Sequence, residues 1–254
     1  MIRLIAGEFH KLFTTRLWLW LLLGSMALTA LYGSLLIAFA NDPDTVTFPL
    51  STAPGQQTLI AVAAGGANTL IAVLAAIGLT AEFRHRTATA TFLATPHRGR
   101  VVVAKLVTFG IIGIAYAVAC LAVVIVVAVP WLAAKNIDLS LTGNGIPGTM
   151  AAVVADVAIF ALVGVGVGAL VRNQVAAVVG LLIYRFVAEP IVTRIPALTD
   201  WTIYLPGQAS SAIIRIALTN QELLQPWQGG LLLIGYGLAF ALSGTYLSVR
   251  RDVT

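Results

Sequence analysis

Runs of about 20 predominantly apolar residues recur six times along this 254-residue chain, and they constrain its fold more than any other feature. A run of that length crosses the ~30 Å hydrocarbon core of a bilayer as a helix. Lipid offers the backbone no hydrogen-bonding partner, so continuous apolar runs favour helices, whereas a membrane β-barrel would show alternating segments. We therefore predict an all-α polytopic membrane protein with six transmembrane helices, over residues 17–40, 58–81, 102–129, 149–171, 175–192 and 227–249.

Composition supports a single transmembrane domain over residues 1–254. Hydrophobic residues make up 59% of the chain and charged residues 10%, against about 25% charged in a soluble domain. The net charge of +5 does not indicate a nucleic-acid partner, because the basic residues lie at the ends of apolar runs. The single cysteine, Cys120, excludes an internal disulfide, and no ligand spacing indicates a metal site.

The distribution of lysine and arginine predicts the orientation of the chain. With both termini on one side, that side carries eleven basic residues: Arg3, Lys11, Arg16, Arg84, Arg86, Arg98, Arg100, Lys105, Arg172, Arg250 and Arg251. The opposite side carries three: Lys135, Arg194 and Arg215. Basic residues concentrate on the cytoplasmic side of membrane proteins, so we expect both termini to be cytoplasmic.

Two shorter segments accompany the predicted spans. Residues 1–16 place apolar side chains at helical spacing and predict an amphipathic helix on the cytoplasmic interface: Ile5, Phe9, Leu12 and Phe13. Residues 194–226, between the fifth and sixth spans, are half apolar but interrupted by prolines: Pro196, Pro206 and Pro226. This pattern predicts short helices that enter the outer leaflet and return. The small residues of the Gly164-Val-Gly166-Val-Gly168 run predict close helix packing.

The polar segment 82–101 connects the second and third predicted spans. Glu82 and Arg84 end the second span, and a short helix is predicted before the Thr95-Pro96 pair, because proline disfavours helical geometry in the residue before it. A soluble partner could push on such a helix at the cytoplasmic face. The chain has no phosphate-binding Gly-x-x-x-x-Gly-Lys-Ser/Thr loop and no paired carboxylates or nucleophile constellation, so we expect no enzymatic activity in it.

Three motifs give the sequence a family resemblance. The first is Glu82-x-Arg84-x-x-Thr87, followed by Thr95-Pro96-x-Arg98 and Lys105; the others are Glu8-Phe-x-Lys11-Leu and Tyr204-Leu-Pro206. Together with the layout of six spans, they resemble the type-2 ABC transporter permeases. The resemblance implies a permease subunit of an exporter in the plasma (inner) membrane, moving a hydrophobic drug-like compound or a lipid outward.

The resemblance also implies partners and roles. Two ATPase subunits, which would hold ATP and Mg, would bind the cytoplasmic face, and a second permease subunit, the same or homologous, would complete the pathway. No cofactor is expected in this chain itself. The positions that would couple it to the ATPase are Glu8, Lys11, Glu82, Arg84, Thr87, Thr95, Pro96, Arg98 and Lys105.

Polar residues inside the predicted spans are candidates for a substrate pathway, because they are costly in lipid. Arg185 and Glu189 lie four apart on one helix face and can pair locally. Asn68 can bond a neighbouring helix or line a pathway, and Asp156 can pair with Arg185 or with a partner subunit. The same residues support an alternative function, a stand-alone transporter or channel driven by an ion gradient, with Asp156, Arg185 and Glu189 as ion or proton sites.

Overall fold

The computed structural model describes residues 1–40, 48–84, 98–215 and 223–251. Their helices are α1 (Ile2–Phe13), α2 (Leu17–Ala38), α3 (Ala53–Arg84), α4 (Arg98–Ala134), α5 (Ile146–Val171), α6 (Gln174–Ile183), α7 (Glu189–Val192), α8 (Thr199–Thr202), α9 (Pro206–Ile214) and α10 (Pro226–Arg251). A π-helical turn, Tyr184–Ala188, joins α6 to α7, and a 3-10 turn, Pro196–Leu198, precedes α8.

Six helical segments of the described residues are long and apolar enough to cross a membrane, which confirms the predicted fold class at this level. They are α2, α3, α4, α5, the continuous α6–π–α7 segment and α10. Their outer surface is strongly apolar: Trp20 is 66% exposed, Val126 72% and Leu242 69%. Large exposed apolar side chains in such number suit lipid rather than water as the surrounding medium.

Helix α3 lies at the centre of the bundle. In its most apolar window 78% of the residues are buried, against 22% in α2 and 11% in the α6–π–α7 segment. It packs against α2, α4, α5 and α6, and its contact with α5 is the most extensive between any two described helices. Four of the other five spans therefore pack on α3, whereas α10 packs mainly on α5 and α9.

Glycines bring α5 close to two neighbouring helices, as the sequence predicts. A Cβ atom added to Gly164 would collide with the backbone of Ala72 in α3. A Cβ atom added to Gly168 would lie 2.9 Å from the carbonyl oxygen of Ala76, which also belongs to α3. A Cβ on Gly166 would lie 2.5 Å from the carbonyl oxygen of Gly237 in α10. Alternate members of the glycine run therefore face opposite neighbours, and their lack of side chains permits backbone contact on both sides.

Local sequence signals explain where several helices begin and end. Helix α3 begins at Ala53 rather than at residue 58, because the hydroxyl of Thr52 accepts a hydrogen bond from Gly55 N (3.3 Å) and caps an earlier first turn. Helix α5 ends at Val171, and the next residue, Arg172, has a left-handed φ of 55°. The Asn173 side chain then accepts from Ala176 N (3.0 Å) and starts α6. Two residues thus suffice to reverse the chain.

The segment predicted to be re-entrant is partly helical. It contains the 3-10 turn, α8 and α9, while residues 216–222 lie outside the described part of the chain. Every residue from Gly207 to Ile213 in α9 is buried, and the helix packs against α10 and α5. This short helix is therefore integrated into the bundle by its packing.

Replacing Gly164 with alanine should destabilise the bundle. The added methyl group collides with the α3 backbone, and overpacking of this kind costs about 1–3 kcal/mol. The matched control is Gly65→Ala in α3, where an added Cβ meets nothing within 4 Å. Thermal unfolding in detergent should show a lower Tm for Gly164→Ala and an unchanged or slightly higher Tm for Gly65→Ala. Equal Tm values for the two variants would contradict the packing described above.

Candidate functional site

Four charged side chains from three helices form a single charge cluster at the end of the bundle where α1 lies. Lys105 of α4 places its Nζ 2.5 Å from Glu8 Oε2 and 2.9 Å from Glu82 Oε1. Lys11 places its Nζ 2.8 Å from Glu8 Oε1 and 2.8 Å from Glu82 Oε1. Each lysine therefore contacts both glutamates, and the cluster joins α1 to the last turn of α3 and the first turns of α4.

The charge cluster is largely buried and carries no net charge. The side chain of Lys105 is 1% exposed, that of Glu8 9% and that of Glu82 11%, whereas Lys11 is 51% exposed at the rim. Partial burial disfavours the charged form of Lys11, but hydrogen bonds to Glu8 and Glu82 prevail and raise the pKa of its ammonium group. Buried charges are tolerated only with close partners, so the cluster holds its three helices in one arrangement.

The position of Glu8 modifies the predicted amphipathic face of α1. Glu8 and Leu12 are the buried residues of this helix, and Ile5 and Phe9 are half-buried beside them. These positions lie three or four apart and share one face. Phe13, which the sequence places on the same stripe, is 50% exposed. The face of α1 that packs against the spans therefore consists of apolar side chains that surround the carboxylate of Glu8.

The remaining residues predicted to couple to an ATPase are distributed differently. Arg84 donates from Nη1 to Gln174 Oε1 (3.3 Å), an exposed contact between the end of α3 and the start of α6. Thr87, Thr95 and Pro96 lie outside the described residues, and Arg98 is the first residue of α4. Four of the nine predicted positions therefore meet in the charge cluster.

A second polar site lies within the bundle and links α3, α5 and α9. Asn68 Nδ2 donates to Asp156 Oδ2 (2.8 Å) and to Ser210 Oγ (3.1 Å), and Ser210 Oγ donates to Asp156 Oδ2 (2.7 Å). All three residues are buried, and Asp156 is fully enclosed. Asn68 therefore bonds neighbouring helices, and Asp156 takes its hydrogen bonds from Asn68 and Ser210 rather than from Arg185.

The hydrogen bonds of this polar site are incomplete. Both bonds to the carboxyl group of Asp156 go to Oδ2, while Oδ1 is buried without a hydrogen-bond partner among the described residues. The same holds for Oδ1 of Asn68. An acceptor buried in this way is energetically unfavourable, which makes the site a candidate for holding a proton, an ion or a polar ligand.

A third polar group, Arg185 and Glu189, lies in the C-terminal half of the fifth span. Arg185 Nη1 lies 3.5 Å from Glu189 Oε2, which confirms the predicted local pair. Glu189 Oε1 also accepts from Gly207 N (2.6 Å), so its carboxylate caps the N-terminus of α9. A Cβ atom on Gly207 would collide with Glu189 and lie 2.5 Å from Arg185 Nη1, so a larger residue there would displace the ion pair.

A cavity of about 360 Å³ is lined in part by Arg185 of the third polar group. Its wall is predominantly apolar and comes from α3, α5, α6, the π-helical turn, α10 and the residues that begin α9. Residues that line it are Thr69, Ala72, Phe160, Val163, Val167, Gly180, Leu181, Tyr184, Arg185, Leu205, Pro206, Tyr236 and Phe240. The volume lies in the ~300–1,000 Å³ range of small-molecule sites.

Sequence reasoning missed Ser210, Gly207 and Tyr184. Ser210 and Gly207 belong to α9, whose Pro206-Gly207 start and small polar residues were visible, but only the packing of α9 against α5 shows their partners. Tyr184 lies in the π-helical turn, which apolar periodicity does not reveal. Hydrogen bonds to Asp156 and Glu189 identify Ser210 and Gly207, and the lining of a cavity identifies Tyr184.

Removing Lys105 should strongly destabilise the chain. Lys105→Met leaves Glu8 and Glu82 buried with only the rim lysine between them, and loss of one partner of a buried ion pair costs about 3–5 kcal/mol. The double variant Lys105→Met/Glu8→Gln should lose less stability than the sum of the single variants, because they share an interaction. Tm values of the four proteins in detergent test this, and strict additivity would argue against the cluster.

Replacing Gly207 with alanine should separate Glu189 from the α9 N-terminus. Its methyl group occupies the space of the Arg185–Glu189 pair, so we expect a destabilisation of about 1–3 kcal/mol. Gly148→Ala, where an added Cβ has open space, is the matched control. Limited proteolysis after Arg194 and Arg215 should be faster in Gly207→Ala alone; equal rates in both variants would contradict the capping role of Glu189.

Comparison with known proteins adds no family assignment. No family model matches the chain, and no curated protein matches it. The features that bear on its function are therefore the six apolar helices, the charge cluster, the intramembrane polar groups and the cavity.

Proposed function

We propose that this chain is the membrane-spanning permease subunit of an ATP-driven ABC exporter in the plasma membrane. It would pair with a second permease subunit, the same or homologous, and with two ATPase subunits that hold ATP and Mg. Both termini would be cytoplasmic, α1 would lie on the inner interface, and α8 and α9 would belong to a re-entrant segment at the outer face. The charge cluster is the observation that best supports this proposal.

The charge cluster suits the transmission of force from a soluble partner. Glu82 precedes segment 85–97 and Lys105 follows it, so the two sides of that segment are tied to each other and to α1 through Glu8 and Lys11. A partner that displaced the segment would move the ends of α1, α3 and α4 together. Since α3 is the central helix, the displacement would reach the interior of the bundle.

The proposed cargo is a hydrophobic drug-like compound or a lipid. The cavity beside α3 has an apolar wall, and its size falls in the range of small-molecule sites. An apolar compound could partition into the bilayer and reach the bundle from the side. Export would then require the ATPase to alter the packing around α3.

The experiment compares the same substitution at two ends of the bundle. Lys11→Met removes the rim lysine of the charge cluster, whereas Lys135→Met removes a lysine that donates to Ile37 O (2.6 Å) near the opposite end. The tagged chain is isolated from its native membrane in mild detergent, and co-purifying ATPases are identified and assayed. We expect wild type and Lys135→Met to retain an ATPase, and Lys11→Met to lose most of it or its stimulation.

Two results would contradict the proposal. One is the absence of any ATPase from the wild-type complex under conditions that keep the chain folded. The other is equal ATPase retention and stimulation in Lys11→Met and wild type. Transport by the complex reconstituted in vesicles then tests the energy source. An exporter of this class should transport only when ATP is supplied on the side of the membrane that carries the ATPase.

The buried carboxyl group favours a second candidate function, a transporter driven by an ion gradient. Asp156 Oδ1 is enclosed without a partner among the described residues and could hold a proton or a cation, with Arg185 and Glu189 nearby in the fifth span. Transport that proceeds without ATP, collapses with the proton or sodium gradient and is lost in Asp156→Asn would support this function over the first.

A further inference from the structure

We propose that the cavity beside α3 binds one uncharged, predominantly apolar molecule that carries a hydrogen-bond-accepting oxygen at one end, such as an ester. Its apolar body would lie against α3, α5 and α10, and its oxygen would face Tyr184 and Arg185 on the π-helical turn. Binding of this kind requires no ATPase partner.

The wall of the cavity selects an apolar body. Ala72, Phe160, Val163 and Phe240 supply carbon surface from three different helices. Water needs two to four polar partners to be stable in a cavity, and this wall offers few. Each methylene group placed here instead gains contact with close-packed carbon atoms and leaves no polar group unpaired.

Two neighbouring residues that line the cavity carry hydrogen-bond donors. The hydroxyl of Tyr184 is buried without a hydrogen-bond partner among the described residues. Arg185, the next residue, lines the same cavity and carries five N–H donors, while its ion pair with Glu189 spans 3.5 Å. A π-helical turn places the two side chains on the cavity, and such turns are frequent at functional sites. An oxygen acceptor on the ligand would satisfy these donors.

The charges around these donors favour an uncharged ligand. Glu189 already lies opposite Arg185, and its other oxygen is held by Gly207 N. A ligand carboxylate or phosphate that approached Arg185 would therefore also approach the carboxylate of Glu189. An ester or ether oxygen accepts the same hydrogen bonds without that repulsion.

Three probes of equal chain length separate these requirements: methyl laurate, laurate and 1-dodecene. The purified full-length chain is placed in nanodiscs, and saturable binding of radiolabelled probe is measured after subtraction of empty nanodiscs. We expect methyl laurate to bind at one molecule per chain. Laurate and 1-dodecene should each bind about three- to tenfold more weakly, through repulsion and the loss of a hydrogen bond, respectively.

Two leucine substitutions test the location of binding. Gly180 lines the cavity, and a Cβ atom added there meets nothing within 4 Å, so Gly180→Leu introduces a side chain at the wall without a backbone collision. Gly235 is an exposed helical glycine with the same open surroundings but does not line the cavity, which makes Gly235→Leu the matched control. We expect methyl laurate affinity to fall at least about tenfold in Gly180→Leu and to be unchanged in Gly235→Leu.

Tyr184→Phe tests the polar end separately. It removes only the hydroxyl, so the preference for methyl laurate over 1-dodecene should shrink while binding of 1-dodecene stays the same. Equal affinity of Gly180→Leu, Gly235→Leu and wild type for methyl laurate would overturn the location. Laurate binding more tightly than methyl laurate, or an undiminished ester preference in Tyr184→Phe, would overturn the ligand chemistry.

A bilayer lipid and a transported compound share the chemistry proposed here, and rates of exchange distinguish them. A resident lipid should co-purify at one molecule per chain, be detected by native mass spectrometry and exchange slowly with added methyl laurate. A transported compound should exchange within minutes and leave the purified chain free to bind the probe at once. Either result supports the site. The site would be refuted if the purified chain retained no molecule and also showed no saturable binding of the probe.

Discussion

The cost of a polar group in an apolar medium governs this structure. A chain with 10% charged residues and a lipid-facing surface must satisfy its buried polar atoms within itself. Within the described part of the chain the main examples are the charge cluster around Lys105, the Asn68–Asp156–Ser210 site and the Arg185–Glu189 pair at α9. Each place joins segments that apolar packing alone would leave free to slide, since apolar surfaces and lipid tails are chemically alike.

Polar bonds and glycine contacts act on the same helices but fix different quantities. The glycine run of α5 determines how closely α3 and α10 can each approach α5. The bond between Asn68 and Asp156 determines which residues of α3 and α5 lie side by side. Together they make α3 the axis of the bundle. The cavity lies between α3, α5, α10 and the π-helical turn of the fifth span, next to the start of α9.

The spans could be predicted because lipid imposes length and composition on every helix that crosses it, and the Arg185–Glu189 pair because its partners lie one turn apart. The boundary of α3 was missed because the capping role of Thr52 depends on a single hydroxyl. Ser210 and the burial of Glu8 were out of reach for another reason: their partners lie far away in the sequence, and only the packing of α9 and α1 brings them together. The unpaired Asp156 oxygen likewise becomes visible only in three dimensions.

The bond between Glu8 and Lys105 spans 97 positions of the chain, and this separation has a consequence for biogenesis. At about 5–20 residues per second, a ribosome needs roughly 5–20 s to pass from one residue to the other. During that interval Glu8 has no Lys105 to neutralise it, and α1 cannot dock as it does in the finished protein. The final arrangement of α1 therefore has to wait until Lys105 has been synthesised, although α1 itself is made first.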